Sequence, residues 1–237
     1  MLTIQARSMK DIFGQALLDF YHDSFKPPLL LHNEYGSPEV IPIERYFIDY
    51  DEYSDLELFA MQHFQGKTLD VGAATGRHTL HLQDLGFDVS AMDLSNNCSI
   101  LMEKLGVEKI IIDDIYKYKD NKYDTISMLM NGIGLAGNIE NLKKLLSHLK
   151  NILNPSGQIL ADSSDISYLY EGEKLPEDKY FGELNFQYEY KGELDDPFDW
   201  LYIDPSTLTD VAKSAGWNCQ IIFEDDTQAF LARLQPL

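Results

Sequence analysis

The stretch TLDVGAATGRHTL, residues 68–80, decides the fold. Its apolar beginning predicts a strand, Gly72 and Gly76 predict a tight turn, and the residues that follow predict a helix. Asp70 stands where the strand should end. Because a turn that leads into a helix presents free backbone N–H groups, this stretch predicts a ligand site.

Two phosphate-binding patterns fit this turn poorly. A dinucleotide fold needs G-x-G-x-x-G, but Ala74 and Arg77 occupy the second and third glycine positions counted from Gly72. A Walker loop needs G-x-x-x-x-G-K-[ST], whereas the spacing from Gly72 to Gly76 is one residue short and no lysine follows. A carboxylate just before the turn repels a pyrophosphate and suits a ligand that carries an ammonium or sulfonium charge.

From Lys67 onward, predicted strands alternate with predicted helices. The strands are KTLDVG (67–72), DVSAMDLS (88–95), VEKIIIDDI (107–115), YDTISMLMNGIG (123–134) and QILADSSD (158–165). The clearest helix carries an apolar stripe and is stopped by Pro155 and Gly157; the stripe consists of Leu142, Leu145, Leu146, Leu149, Ile152 and Leu153. This alternation predicts an α/β fold with a parallel sheet, whose ligands bind outside the carboxyl ends of the strands.

Acidic and polar residues end the strands that follow the glycine turn. Asp93 ends the second strand, 17 residues after Gly76, where a carboxylate can accept hydrogen bonds from both hydroxyls of a ribose. Asp113 and Asp114 end the third strand, where an exocyclic adenine amine can be recognised, and Met130 and Asn131 end the fourth. A ligand with a ribose, an adenine, a cationic amino-acid tail and no phosphate satisfies all these positions, and S-adenosylmethionine is such a ligand.

Residues 66–162 resemble the class I S-adenosylmethionine-dependent methyltransferases in the order and spacing of LDVGAATGRHT, VSAMDLS, IIIDDI, YDTISMLMNGIG and LKNILNPSGQILADSS. The resemblance implies a Rossmann-like fold: a seven-stranded, mostly parallel sheet with a C-terminal antiparallel hairpin, a helical N-terminal cap and a β-hairpin inserted after the fifth strand. The cofactor-binding residues expected are Asp70, Gly72, Ala73, Ala74, Gly76, Asp93, Leu94, Asp114, Ile115, Met130 and Asn131, with Arg45 and Tyr46 from the cap. Ala74 departs from the family's middle glycine, and we expect it to keep a negative φ and alter the turn slightly.

Alternative interpretations stay open for several of these residues. Asp93 can instead be a partner for the start of the next helix, and Asp113 and Asp114 can be solvated loop acids. Asn131 precedes a glycine in an ordinary turn pair and is equally a candidate substrate contact. Aromatic residues near the C-terminal side of the core either wall a substrate pocket or belong to a hydrophobic core; they are Tyr168, Tyr170, Tyr188, Tyr190, Trp200 and Tyr202.

The flanking segments lack the strand–helix alternation of the core. We predict a single domain over residues 1–237: a cap or lid (1–65), a cofactor-binding core (66–165), an inserted lid and hairpin (166–204), and a C-terminal helix and hairpin (205–237). Within the cap, four prolines in residues 26–47 predict a loop. Residues 11–25 and 51–64 are predicted to be helical.

Composition limits the partners and the location. The chain has 19 basic and 39 acidic residues, and this net charge of −20 disfavours nucleic acid and anionic lipid as partners. Two cysteines, no long apolar run and no secretory leader predict a cytoplasmic protein. His78 and His81 lie one helical turn apart without a third metal ligand nearby, so no metal site is expected.

The predicted activity is methyl transfer to an acceptor that the sequence does not identify. Acidity and the cap favour a small molecule, with a protein acceptor as the second choice. No catalytic base can be assigned, and a cofactor-binding regulatory protein without turnover is therefore the rival hypothesis. The oligomeric state is not predicted.

Overall fold

The computed structural model describes residues 10–172 and 174–237. The first nine residues of the predicted cap lie outside this range. In chain order the helices and strands are α1 (Ile12–Tyr21), β1 (Leu30–His32), β2 (Glu39–Val40), α2 (Asp55–Met61), β3 (Thr68–Val71), α3 (Arg77–Asp84), β4 (Val89–Asp93), α4 (Asn96–Leu105), β5 (Ile110–Ile112), β6 (Tyr123–Met128), α5 (Ile139–Leu149), β7 (Leu153–Ser164), β8 (Glu183–Tyr190), β9 (Glu193–Leu194), β10 (Phe198–Leu201), α6 (Pro205–Ser214), β11 (Trp217–Glu224) and β12 (Ala229–Pro236). Short 3₁₀ turns cover Ile43–Tyr46, Tyr50–Glu52, Gly132–Ala136, Lys150–Ile152 and Ser167–Tyr170.

The main sheet has seven strands in the order β11-β12-β7-β6-β3-β4-β5. Strands β3 to β7 pair in parallel, and β12 runs antiparallel to both β7 and β11. The predicted Rossmann-like sheet with a C-terminal antiparallel hairpin is therefore confirmed. The order reverses at β3, so the carboxyl ends of β3, β4 and β6 border the crevice where such sheets bind ligands.

Helix α5 shows how local sequence sets the elements of the core. Asn138 caps its N-terminus by accepting a hydrogen bond from the Asn141 N–H at 2.8 Å. The predicted apolar stripe is buried, but the helix ends at Leu149 and Leu153 begins β7. Placing Leu153 in the helix was wrong because that residue pairs with Tyr123 on β6, and strand pairing outweighs the helical period.

A second, antiparallel sheet joins the two flanking segments. Its order is β10-β8-β1-β2, and β9 also pairs with β8. The predicted hairpin in the insertion is present as β8 and β10. The predicted loop in residues 26–47 is corrected, because it contains β1 and β2. Leu30 pairs with Glu189 on β8, a partner far along the chain that no local pattern reveals.

The cap packs directly on the core beside the glycine turn. Leu17 of α1 is buried in one cluster with Leu101 of α4, Ala74 of the turn and Tyr190 of β8. Asp11 joins the two helices: its Oδ1 accepts from the Gly14 N–H at 3.1 Å, and its Oδ2 accepts from the Ser95 hydroxyl at 2.6 Å. Both flanking segments therefore meet next to the carboxyl edge of the main sheet.

No helix in residues 10–172 and 174–237 has the length and apolarity that crossing a membrane requires.

Candidate active site

The glycine turn after β3 has three residues in the left-handed backbone region. Gly72, Ala74 and Gly76 have φ values of 72°, 52° and 76°. The expectation that Ala74 keeps a negative φ was wrong: alanine takes the conformation that favours glycine, at a cost of about 1–2 kcal/mol. A Cβ built on Gly76 would lie 2.7 Å from Val107 Cγ2, whereas one built on Gly72 meets no atom within 4 Å. The space beside Gly72 is therefore open.

Asp93 connects the end of β4 to this turn. Its Oδ2 accepts a hydrogen bond from the Ala74 N–H at 2.9 Å, and its Oδ1 accepts from the Ser95 N–H at 2.9 Å. Burial raises the pKa of this carboxyl group. The side chain is half-buried, so it keeps an accessible face, and the neighbouring Leu94 is 59% exposed. Asp93 thus bonds the N-cap residue of α4 and also fixes the strained Ala74.

Asp70 lies deeper than the turn that it precedes. It is 3% exposed, and its Oδ2 accepts a hydrogen bond from the Thr79 hydroxyl at 2.8 Å. Burial raises its pKa. The Ala73 N–H, next in the turn, donates to the Met92 carbonyl at 3.1 Å. Asp70 therefore connects β3 to α3 in the protein interior.

Two adjacent acids follow β5. Asp113 Oδ1 accepts from the Asp114 N–H at 2.7 Å, and Asp114 Oδ2 pairs with Lys117 Nζ at 2.8 Å. Burial alone would raise the pKa of Asp114, but hydrogen bonds from Lys117 and the backbone outweigh it, and the pKa is lowered. Ile115 is 6% exposed and packs in the main core. Asp114 is thus ionised and shared with a lysine.

Met130 and Asn131 follow β6, both in the left-handed backbone region, with φ values of 62° and 56°. Two such residues in succession are a strained feature that tends to occur at functional sites. The Asn131 side chain is engaged by the protein: its Oδ1 accepts from the Ser163 hydroxyl at 2.8 Å, and that hydroxyl accepts from the Ile203 N–H at 3.0 Å. Asn131 therefore links the carboxyl edge of the sheet to the end of the insertion.

Asp162, which the sequence analysis missed, lies beside Asn131 on β7. Its Oδ1 accepts from the Asn131 N–H at 2.7 Å. Burial, with the nearby Glu57 carboxylate as a further contribution, raises the pKa of Asp162 to about 7. The sequence could have indicated Asp162, because it lies near the carboxyl end of the fifth core strand. Asp70 and Asp93 hold the same kind of position in the first two core strands.

A buried ionic cluster beneath the glycine turn was also missed. Glu57 on α2 accepts a hydrogen bond from the Arg77 guanidinium and lies 2.8 Å from His78 Nε2. The guanidinium carbon is 4.6 Å from the centre of the Tyr53 ring. Burial raises the pKa of Glu57, but His78 and Arg77 outweigh it and the pKa is lowered. His78 is thus buried and lies within hydrogen-bond distance of Glu57.

The cap residues Arg45 and Tyr46 are placed differently. Arg45 is exposed, and Tyr46 is half-buried with its ring centre 5.1 Å from that of Phe13. The Tyr46 carbonyl accepts a hydrogen bond from the Thr75 hydroxyl, which fixes the 3₁₀ turn against the glycine turn. The Tyr46 backbone therefore bonds the glycine turn directly.

The aromatic residues of the insertion divide into two groups. Tyr190 is buried in the cap cluster, Tyr168 is 55% exposed, and the Tyr170 hydroxyl donates to the Phe181 carbonyl. Half-buried aromatic side chains form the second group, which consists of Tyr188, Trp200 and Tyr202. Tyr170 is half-buried as well, but its hydroxyl bonds within the insertion, whereas Trp200 and Tyr202 of the second group lie near the carboxyl edge.

Two members of the second group, Trp200 and Tyr202, lie at the edge near Asn131 and Asp162. A Cβ built on Gly134 would lie 2.1 Å from Trp200 Nε1, so the indole lies directly on the turn after β6. Burial raises the pKa of Tyr202 to about 12, and the neighbours that raise it further include Tyr46 and Asp162. Within the described part of the chain, no group of three or more metal-ligating side chains occurs.

Comparison with known proteins identifies the family. A family model described as a methyltransferase domain matches residues 47–220. An S-adenosylmethionine-dependent methyltransferase from Bacteroides fragilis, solved in complex with S-adenosyl-L-homocysteine, is 37% identical and superimposes with a TM-score of 0.88. That match covers 96% of this chain and 95% of the other. The search of curated proteins gave no match.

Two more distant structures share the fold alone. The CcbJ methyltransferase from Streptomyces caelestis is 16% identical over 79% of this chain and 94% of its own, with a TM-score of 0.60. A DhpI–SAM–HEP complex is 16% identical over 94% of each chain, with a TM-score of 0.62. The domain match and the 37% identity over nearly the whole chain carry the assignment. This chain belongs to the S-adenosylmethionine-dependent methyltransferases.

Proposed function

We propose that this methyltransferase acts on a small molecule held between the carboxyl edge of the main sheet and the second sheet. The observation that carries the proposal is the group of half-buried aromatic side chains, Tyr188, Trp200 and Tyr202, beside the strained turn after β6. A site walled by aromatic side chains with few polar groups is typical of small-ligand pockets. The net charge of −20 argues against a nucleic-acid acceptor.

The residues present fit the cofactor. Space is open beside Gly72, Asp93 keeps an accessible face, and Asp114 is ionised and half-buried. We assign the amino-acid portion of the cofactor to the turn of Gly72, Ala73, Ala74 and Gly76, with Asp70 behind it and Arg45 and Tyr46 from the cap. We assign the ribose to Asp93 beside Leu94, the adenine to Asp114 and Ile115, and the methyl-group side to Met130 and Asn131.

The flanking segments are proposed to close over this site. Cap and insertion share one sheet through the pairing of β1 with β8, and Asn131 connects that insertion to β6. Together they would exclude water from the reacting groups, which strengthens electrostatic interactions there and prevents side reactions.

The chemistry makes few demands on the protein. When bound, S-adenosylmethionine supplies a methyl group that is already activated by a sulfonium charge. The chain's own task is to hold the acceptor in line with that methyl group, which alone contributes roughly 7–11 kcal/mol to barrier lowering in favourable cases. The rigid contacts of Asn131 with Ser163 and Asp162 serve such positioning.

The test uses cofactor with an isotopically labelled methyl group and an extract of the source cells, separated into small-molecule and protein fractions. We expect label in the small-molecule fraction only. Asp93→Ala should lose most of the labelling, and the exposed Asp88→Ala serves as a control for a change of charge alone. Label in protein would indicate a protein acceptor. Cofactor binding with no label in either fraction would indicate a binding protein without turnover.

A further inference from the structure

We propose that the acceptor is an amine and that Asp162 binds its ammonium form and takes up its proton. This inference rests on the proposed function, because it concerns the acceptor side of the same site. It assigns a catalytic role to a residue that no motif identified. Three features carry it: the position of Asp162, the absence of a cationic partner, and the aromatic surroundings.

Asp162 is held firmly at the edge where transfer would occur. Its Oδ1 accepts from the Asn131 N–H at 2.7 Å, so one oxygen is fixed against the turn after β6. The same turn borders the assigned methyl-group side. The residue is half-buried and so is not sealed off from solvent. A partly exposed carboxylate whose Oδ1 is fixed by the turn after β6 is suited to bind a ligand.

Asp162 has no cation within the described chain to balance its charge. No lysine, arginine or histidine of residues 10–172 and 174–237 forms an ion pair with it. A charged group that influences it is another carboxylate, Glu57, which is itself paired with Arg77 and lies within hydrogen-bond distance of His78. Because an unpaired carboxylate in a poorly solvated site is unfavourable, Asp162 favours a ligand that brings a positive charge.

The walls of the site favour the same ligand. Tyr202 lies close enough to Asp162 and to Tyr46 for their charges to interact, and Tyr188 is similarly close to Tyr202. The Tyr188 ring stacks on Phe13 and on Phe198, with ring centres 5.2 Å apart in each pair, so it supports this wall and leaves the aromatic face for a ligand to the half-buried Tyr202. Aromatic faces attract ammonium groups by cation–π interaction. Neutral alcohols gain neither this interaction nor the ion pair, and carboxylic acids are repelled.

Methyl transfer to the amine would follow a proton transfer to Asp162. The ammonium group first gives one proton to the Asp162 carboxylate, which leaves a lone pair on nitrogen. The amine nitrogen then attacks the methyl carbon, so that a nitrogen–carbon bond forms while the sulfur–carbon bond breaks and its electron pair remains on sulfur. The products are the N-methylammonium ion and S-adenosylhomocysteine, and Asp162 releases its proton to solvent. General base catalysis of this kind contributes about 10²–10⁴-fold.

The first test classifies the products of the labelling experiment by the atom that carries the new methyl group, using the proton and carbon chemical shifts of the label. We expect nitrogen. Asp162→Asn should transfer methyl groups about 100-fold more slowly or worse, while it still binds S-adenosylhomocysteine because the amide oxygen can accept from the Asn131 N–H. The control Asp165→Asn removes the same charge three residues later and should leave the rate unchanged.

A second test does not depend on turnover. Protein saturated with S-adenosylhomocysteine is titrated by calorimetry with benzylamine, which is protonated at neutral pH, and with the neutral isostere benzyl alcohol. We expect benzylamine to bind more tightly to the unaltered protein and to lose that advantage in Asp162→Asn. Label on oxygen, an unaffected rate in Asp162→Asn, or equal binding of the two probes would overturn the amine assignment. The absence of any labelled product would instead count against the proposed function.

Discussion

The buried ion pair beneath the glycine turn offers the sharpest test of the structure. We predict that Arg77→Met destabilises the protein by about 3 kcal/mol. The side chains of Arg77 and Glu57 are only 7% and 5% exposed, so removing the guanidinium leaves a carboxylate buried without its main partner. Such losses typically cost about 3–5 kcal/mol. We expect the lower end, because His78 Nε2 also lies 2.8 Å from the Glu57 carboxylate and remains as a hydrogen-bond partner.

The measurement is urea unfolding at neutral pH, followed by far-UV circular dichroism. Lys109→Met is the matched control: its ion pair with Asp88 is about half exposed on both sides and should contribute less than about 1 kcal/mol. The double variant Glu57→Gln with Arg77→Met should lose less than the sum of the single losses, because no charge is then left unpaired. If Arg77→Met lost no more stability than Lys109→Met, the electrostatic interpretation of the cluster would be refuted.

Three further predictions concern the site. S-adenosylhomocysteine should raise the melting temperature progressively with its concentration, since it binds the folded state alone; a scan that shows no rise, beside a responding control methyltransferase, would contradict the assigned cofactor. Asp93→Ala should weaken cofactor binding by about 1.5–3 kcal/mol in calorimetry, the range for hydrogen bonds to a charged group. Unchanged affinity would contradict the assignment of the ribose to Asp93 and leave this residue with only its contacts to Ala74 and Ser95. Folding raises the pKa of Asp162 from its ordinary 3.8 to about 7, so its contribution to stability is complete below about pH 4 and is lost as the pH rises through about 7. The unaltered protein should therefore lose more unfolding free energy than Asp162→Asn between about pH 5 and 7, by up to about 1.4 kcal/mol per pH unit, and parallel pH profiles in urea unfolding would contradict the raised pKa.

Local sequence was sufficient for the architecture of the core. The glycine turn of residues 72–76, the alternating strands and helices, and the C-terminal hairpin were all predicted, because each follows from a periodicity or turn signal within about 15 residues. The acids that end successive strands were found in the same way. A parallel sheet brings the carboxyl ends of its strands to one edge, so their spacing along the chain was enough to collect them.

Local sequence patterns did not predict the backbone conformation of the glycine turn. Ala74 was expected to keep the φ that alanine prefers, yet it has a φ of 52°. Its N–H donates to Asp93, and its side chain is buried against α1 and α4. These contacts come from β4 and from the cap, and together they outweigh an intrinsic preference of about 1–2 kcal/mol.

The sequence by itself thus determined the sheet and its order of elements and predicted a ligand-binding edge, because those features depend on short-range patterns of apolar, turn and acidic residues. Only the tertiary structure decided the rest. The pairing of Leu30 with Glu189, the contact of Glu57 with Arg77, and the position of Asp162 beside Asn131 join residues that are 20 to 159 positions apart. Their energies arise from burial and from the loss of water around charged groups, which exist only once the chain has folded.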